Sequence, residues 1–159
     1  MPIKIKNFNE TDFEFQEITR IFNLVSHDDV THIDEEKESW TILDKSRISN
    51  RLILYKNNSI IGFLRYMQGG KINKHKCFFN IFIDPEFNGN GYRQLLYDRM
   101  LNDIKSFDCN ALYMQIWDHP NYTESKKFLE KNIFFNKFKI REFSLELDTL
   151  NLSKYNDLI

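Results

Sequence analysis

The chain has few of the residues that interrupt regular structure: 159 residues include 5 glycines and 3 prolines. No low-complexity linker or internal repeat divides it, so one domain is expected, long enough to bury roughly two-thirds of its unfolded surface. Cysteine is scarcer still. Cys77 and Cys109 lie far apart in no metal-ligand spacing, which predicts two reduced, mostly buried thiols in a cytoplasmic protein. Neither charge is in surplus: 22 basic residues face 23 acidic ones. That balance argues against a nucleic-acid glove, which needs a basic surplus on one face, while leaving room for a local basic patch. No apolar run approaches the ~20 residues of a membrane span. The opening MPIKIKNFNE also lacks the apolar core of a signal peptide. His27, Asp28, Asp29 and His32 form no recurring ligand spacing, so no metal is expected.

What the chain does have is apolar and aromatic residues, 42% and 15% of the whole. Their periods alternate between strand and helix. Ile3 to Phe8 alternates as a short strand does. Thr11 and Glu14 have capping-box spacing, and Phe15, Ile18, Ile21, Phe22 and Val25 then share one helical face. A more polar helix is predicted over Asp34 to Lys45, with Trp40 and Leu43 inward. RLILYKNNSIIGFLRYM predicts two strands joined at Asn57-Asn58, and Cys77 to Ile83 a further strand stopped by Asp84-Pro85. Leu96, Met100, Ile104 and Phe107 mark a helix from Arg93 to Phe107. Ala111 to Trp117 predicts another strand, Asn121 to Asn132 a short helix, and IFFNKFKIREFSLEL a last strand. Three consecutive strands followed by helix, strand, helix and strand predict a mixed sheet with helices on both faces, not a regular doubly wound one.

Two of the few glycines stand one residue apart, in FNGNGYRQLL between a strand and a helix. Such a turn is an anion site: the first helical amides have no intrahelical partner, the dipole is positive there, and glycine carries no Cβ to hold a phosphate away. Three phosphate-binding patterns compete. A P-loop would need Gly-Lys-Ser/Thr after the spacer, which is missing, and a dinucleotide fingerprint would need glycine where Gln94 stands. The third, the acyl-CoA signature Gln/Arg-x-x-Gly-x-Gly/Ala, aligns on Asn88-Gly89-Asn90-Gly91-Tyr92-Arg93. Gly91 matches its centre, while Asn88 and Arg93 depart from its two ends. A turn that simply requires glycine accounts for the same residues.

FIDPEFNGNGYRQLL, together with SKKFLEKNIFF, LILYKNNSIIGFLRY and IKNFNETDFEFQEITRIFN, resembles the GNAT superfamily of acyl-CoA-dependent N-acyltransferases over nearly the whole chain. The resemblance is closest to the first domain of tandem-GNAT proteins, whose "FLERRGF" and "RESRLDL" runs look like FLEKNIFF and IREFSLELDTL. It implies an α/β (α+β) fold with a mixed, mostly antiparallel sheet of six to seven strands and four flanking helices. Residues 1–148 would form one such domain, and 149–159 a tail or interdomain linker. The implied reaction is direct attack of a small-molecule or peptide amine on acetyl-CoA. The alternative is a degenerate domain that serves as a CoA-binding or structural module. A second copy or a second GNAT domain would be the protein partner.

The resemblance also implies a site. The pantetheine arm would pair with the strand backbone at Ile81, Phe82 and Ile83, with an amide near Ile83 polarising the thioester carbonyl. The pyrophosphate would lie on the loop Asn88, Gly89, Asn90, Gly91, Tyr92, Arg93 and Gln94. Arg93 either crowds that phosphate or grips it. The family's usual general acid is a tyrosine at a position occupied here by Leu129, and Tyr122 is the available substitute. Glu86, Asp118 and His119 are candidate bases, His119 because imidazole is the usual general base of enzymes. The acidic stretch DDVTHIDEE suits either a cationic acceptor or plain solvation.

Overall fold

Residues 2–26, 29–43 and 47–136 are described by a computed structural model. The alternation in IKIKN becomes β1 (Ile3–Asn7), and the amphipathic run after Thr11 becomes α1 (Asp12–Val25). Thr11 accepts from the Glu14 amide, but only half of the capping box forms. The Glu14 carboxylate instead takes the Asn9 amide at 2.8 Å and the Tyr55 hydroxyl at 2.9 Å, which satisfies its burial. α2 (Ile33–Thr41) follows, and β2 (Ser49–Lys56) and β3 (Ser59–Gln68) form the expected hairpin. Asn57 and Asn58 both adopt positive φ, 51° and 71°, the conformation a two-residue hairpin turn demands.

β4 (Lys76–Ile83) ends at Asp84-Pro85, and a single 3-10 turn (Pro85–Phe87) leads to the glycines and α3 (Tyr92–Ile104). β5 (Ala111–Tyr113), a 3-10 turn (Pro120–Tyr122) and α4 (Thr123–Lys131) follow, and another 3-10 turn (Lys71–Asn73) lies between β3 and β4. The sheet runs β1-β2-β3-β4-β5, antiparallel except for the parallel β4–β5 pair.

Apolar side chains fill both faces. Leu52, Leu54, Leu64, Phe79 and Ile81 meet Leu96, Tyr97, Met100 and Phe128 of α3 and α4. On the other face Ile53, Phe63 and Phe82 meet Phe15, Ile18 and Ile21 of α1. Trp40 points inward as expected, its ring 5.2 Å from Phe8. It also covers the Arg51 guanidinium at 4.6 Å while Glu36 pairs with Arg51 at 2.5 Å, so α2 is fastened to the sheet through a buried ion pair.

Three expectations are corrected. The described residues form five strands rather than six to seven. In the expected last strand, Phe134 to Asn136 carry no ladder; Phe134 packs on Phe79 and Tyr97 instead, at 5.8 and 6.2 Å. The rest of that strand and the tail 149–159 lie outside the described residues. Second, β5 stops at Tyr113 rather than Trp117. Leu112 and Met114 pack on one core and Ile116 on the other, so the chain rotates out of the sheet between Met114 and Ile116. Third, the helix expected over Asp34 to Lys45 ends at Thr41, where the Ile42 amide closes the last turn on the Glu38 and Trp40 carbonyls. Cys77 and Cys109 are free thiols, and burial pushes the Cys77 thiol up to about 12.

Candidate active site

The early end of β5 opens the sheet. Only Lys76, Cys77 and Phe78 of β4 pair with Ala111, Leu112 and Tyr113, so among the described residues β4 from Phe79 to Ile83 has no strand on that side. Ladder phase decides which groups face the gap. Gly69 donates to the Lys76 carbonyl and Asp84 to the Ile61 carbonyl, so even-numbered β4 residues bond to β3. Odd-numbered ones then turn their backbone outward, and the amides of Ile81 and Ile83 point into the opening. Phe82 directs its backbone to β3 and its ring against Phe63, 4.8 Å away. One side chain crosses the gap: Asn80 Nδ2 donates to the Gln115 carbonyl at 3.0 Å.

Below the gap, Gly89 and Gly91 adopt φ +79° and +75°, and a Cβ on either would meet nothing within 4 Å. The glycines are there for conformation, and the space beside them is open. Gln94 and Leu95 donate to the Gly91 carbonyl, which begins the helix. The amides from Gly89 to Arg93 have no acceptor among the described residues, as a helix N-terminus requires. Five unengaged donors at the positive end of a 13-residue helix, beside two Cβ-free positions, could hold a phosphate.

The loop side chains brace this turn. Arg93 is 8% exposed, and its Nη1 donates to Asn88 Oδ1 at 2.8 Å while Nε stays buried without a partner. Burial lowers its pKa, opposed by Glu124. Asn90 Nδ2 donates to the carbonyls of Phe87 and Asn88. Gln94 exchanges hydrogen bonds with Asn132 beyond α4. Tyr92 and Phe87 stand under Lys56, whose Nζ lies 5.9 and 4.9 Å from their ring centres.

On the α1 side the gap widens into a cleft of about 180 Å³, lined by Phe22, Ser26, Asp29, Arg65, Asn80 and Tyr122 among others. Tyr122 therefore stands in the cleft. It is 7% exposed, and burial raises its pKa, with Asp29 reinforcing and Ser26 and Arg65 opposing. The three candidate bases are elsewhere. His119 caps the 3-10 turn Pro120–Tyr122, its Nδ1 accepting from Asn121 at 3.2 Å. Asp118 is exposed and paired with Lys126, and Glu86 is exposed on the 3-10 turn Pro85–Phe87. None of them lines the cleft. Leu129 packs against the α3-side core.

Sequence reasoning missed Arg65, although a cation inside the apolar run IIGFLRYM was a visible signal. Asp29 belongs to the acidic stretch that suits a cationic acceptor, although it was not singled out there. His27 and Asp28 lie outside the described residues. Among the described residues no three His, Cys, Asp or Glu side chains gather as a metal group. No helix among them is long and apolar enough to cross a membrane.

Comparison with known proteins agrees with this geometry. A ribosomal protein bS18 alanine N-acetyltransferase of Haemophilus influenzae is 30% identical over 91 residues, 57% of this chain and 58% of that protein, so the match spans little more than half of the relative. An aminoglycoside acetyltransferase from an uncultured soil metagenomic sample superposes with TM-score 0.68 at 15% identity, over 91% of this chain and 96% of that one. AAC(6')-Iy, solved with the bisubstrate analog CoA-S-monomethyl-acetylneamine, gives TM-score 0.65 at 16% identity over 92% and 99%. At such identities the two structures show the fold alone. The profile of the Acetyltransferase (GNAT) family matches residues 14–133. With the splayed β4 edge and the glycine turn that opens α3, the chain belongs to the GNAT family of acetyltransferases.

Proposed function

We propose that this chain transfers the acetyl group of acetyl-CoA to the amine of a small molecule or peptide by direct attack. One observation carries the reading: the outward amides of Ile81 and Ile83 and the unengaged amides of Gly89 to Arg93 belong to one continuous β4–α3 segment. The first set suits the pantetheine arm and the thioester carbonyl, and the second the pyrophosphate. The acceptor nitrogen bonds to the carbonyl carbon, and the developing oxyanion is stabilised by a β4 amide. Collapse breaks the C–S bond. The ammonium proton passes to solvent or an acceptor in the cleft, where Asp29 supplies a carboxylate. Tyr122, kept protonated by burial, returns a proton to the departing thiolate. His119 takes no part in this scheme, because its Nδ1 is engaged in the turn. Two free thiols suit a reducing cytoplasm.

Acetyl-CoA titrated into a melting experiment tests the reading. A ligand at a hundred times its Kd adds about 2.7 kcal/mol, several degrees for a domain of this size. A rising midpoint is expected. No shift at millimolar acetyl-CoA would assign the chain to the non-catalytic alternative.

A further inference from the structure

Two arginines stand directly opposite each other on the α1–α2 face of the sheet, Arg51 on β2 and Arg65 on β3. Like charges so placed repel. Arg51 is neutralised by Glu36 at 2.5 Å and covered by Trp40. Arg65 has no carboxylate within ion-pair distance among the described residues. Its guanidinium lies 5.8 and 5.4 Å from the ring centres of Phe22 and Phe82, which hold the cation in place without neutralising it. It lines the cleft beside the gap, next to its cross-strand partner Asn80 and near the hydroxyl-bearing Ser26 and Tyr122. Asp29, on the same lining, is exposed and supplies the opposite charge.

Glu36 and Asp29 act on Arg65 through space, but no carboxylate among the described residues touches the guanidinium, which stands half-buried between two rings and open to the cleft. Resting on the acyl-transfer reading of this cleft, we propose that Arg65 binds a carboxylate of the acceptor, so that the acceptor is an amino acid or a closely related amine bearing a carboxylate. A planar guanidinium accepts a carboxylate in bidentate geometry, which orients the molecule as well as holding it. The zwitterion satisfies both charges of the cleft, ammonium to Asp29 and carboxylate to Arg65. A polyamine or an amino sugar offers no group for Arg65 and would meet its repulsion. Arg65 also disfavours an ammonium close to it, which helps present the neutral nucleophile that transfer requires.

The test compares three acceptors that differ at one group: a free α-amino acid, its α-amide, and the corresponding amine lacking the carboxyl. Thiol release from acetyl-CoA is followed with wild type, Arg65→Lys and Arg65→Gln. For wild type, kcat/KM for the free acid should exceed that for the amide by about tenfold or more. Both variants should erase that preference, with a loss of roughly 10- to 100-fold carried mainly by KM, the signature of an anchoring contact. Equal or better use of the amide or the amine would overturn the proposal. So would a free-acid preference that survives in Arg65→Gln. Binding is read separately by melting midpoint with and without CoA. A free acid that raises the midpoint of wild type but not of Arg65→Lys supports the assignment even without turnover, and no shift with any of a panel of free acids overturns it. A missing CoA shift counts against the acyl-transfer reading alone, because acid binding is scored independently of it.

Discussion

Arg93 Nη1 donates to Asn88 Oδ1 at 2.8 Å, joining the first residue of the glycine turn to the second residue of α3. These are the two positions at which the loop departs from the family's signature, and they satisfy each other. Without ligand, the Arg93 guanidinium is engaged with Asn88 and no atom of it lies within 4 Å of where a Cβ on either glycine would stand. The contact ties together the two ends of the glycine turn.

Arg93→Ala should therefore weaken acetyl-CoA binding by loosening the turn. A hydrogen bond to a charged group contributes about 1.5–3 kcal/mol, so the melting midpoint should fall by several degrees as well. Asn88→Ala added to Arg93→Ala should cost little more than Arg93→Ala alone, since the two act through one contact. Additive losses in a double-mutant cycle would show that Arg93 has a separate partner, such as phosphate.

Gly91→Val should abolish binding of acetyl-CoA while the chain stays folded. A left-handed conformation costs a residue with a Cβ about 1–2 kcal/mol, more for a β-branched side chain. The new atoms would enter space that is now open. Circular dichroism checks the fold, and the ligand-induced melting shift should vanish. An undiminished shift would remove the cradle from the binding site.

Tyr122 gives a pH signature. Its pKa is raised by burial first, so the phenol stays protonated through neutrality and a rate that depends on it declines only above the ordinary tyrosine value of 10.0. Tyr122→Phe should lower kcat with a reactive amine by about 10²–10⁴-fold and remove that alkaline decline. Should the variant retain both the rate and the decline, thiolate departure relies on solvent instead. Leu129, which cannot titrate, makes that outcome chemically accessible, since a thiol is a tolerable leaving group.

Alkaline pH should destabilise the fold. Tyr55, Tyr66, Tyr97, Tyr122, Cys77 and Cys109 all have pKa values raised above ordinary, each by burial first. With folded values above unfolded ones, the unfolded chain loses its protons first, so stability falls as pH rises. The contribution is intact below the ordinary thiol value of 9.0, and that of Cys77 continues to decline toward about 12. Melting midpoints from pH 8 to 11 under reducing conditions should drop steadily over this interval, and a flat profile would contradict the burial of these groups.

The sequence by itself determined the element order, the hairpin turn, the two apolar faces and the glycine turn, because each rests on local periodicity or on a backbone conformation that few residues adopt. Phe15, Ile18 and Ile21 share a helical face wherever they fold, and the NGNG stretch opens a helix because its φ values demand glycine. The gap, the Asn88–Arg93 contact and the cleft around Arg65 were decided by tertiary structure. The apolar run from Ala111 to Trp117 is long enough for a full strand, and only its packing on two different cores turns it out of the sheet after Tyr113. His119 has the right chemistry for a base, but turn geometry engages its ring nitrogen. Arg65 gains its meaning from Phe22, Phe82 and Asp29, which approach it from other elements of the chain. Residue type sets what a side chain can do, whereas burial and neighbouring charge, which are long-range in sequence, select what it does.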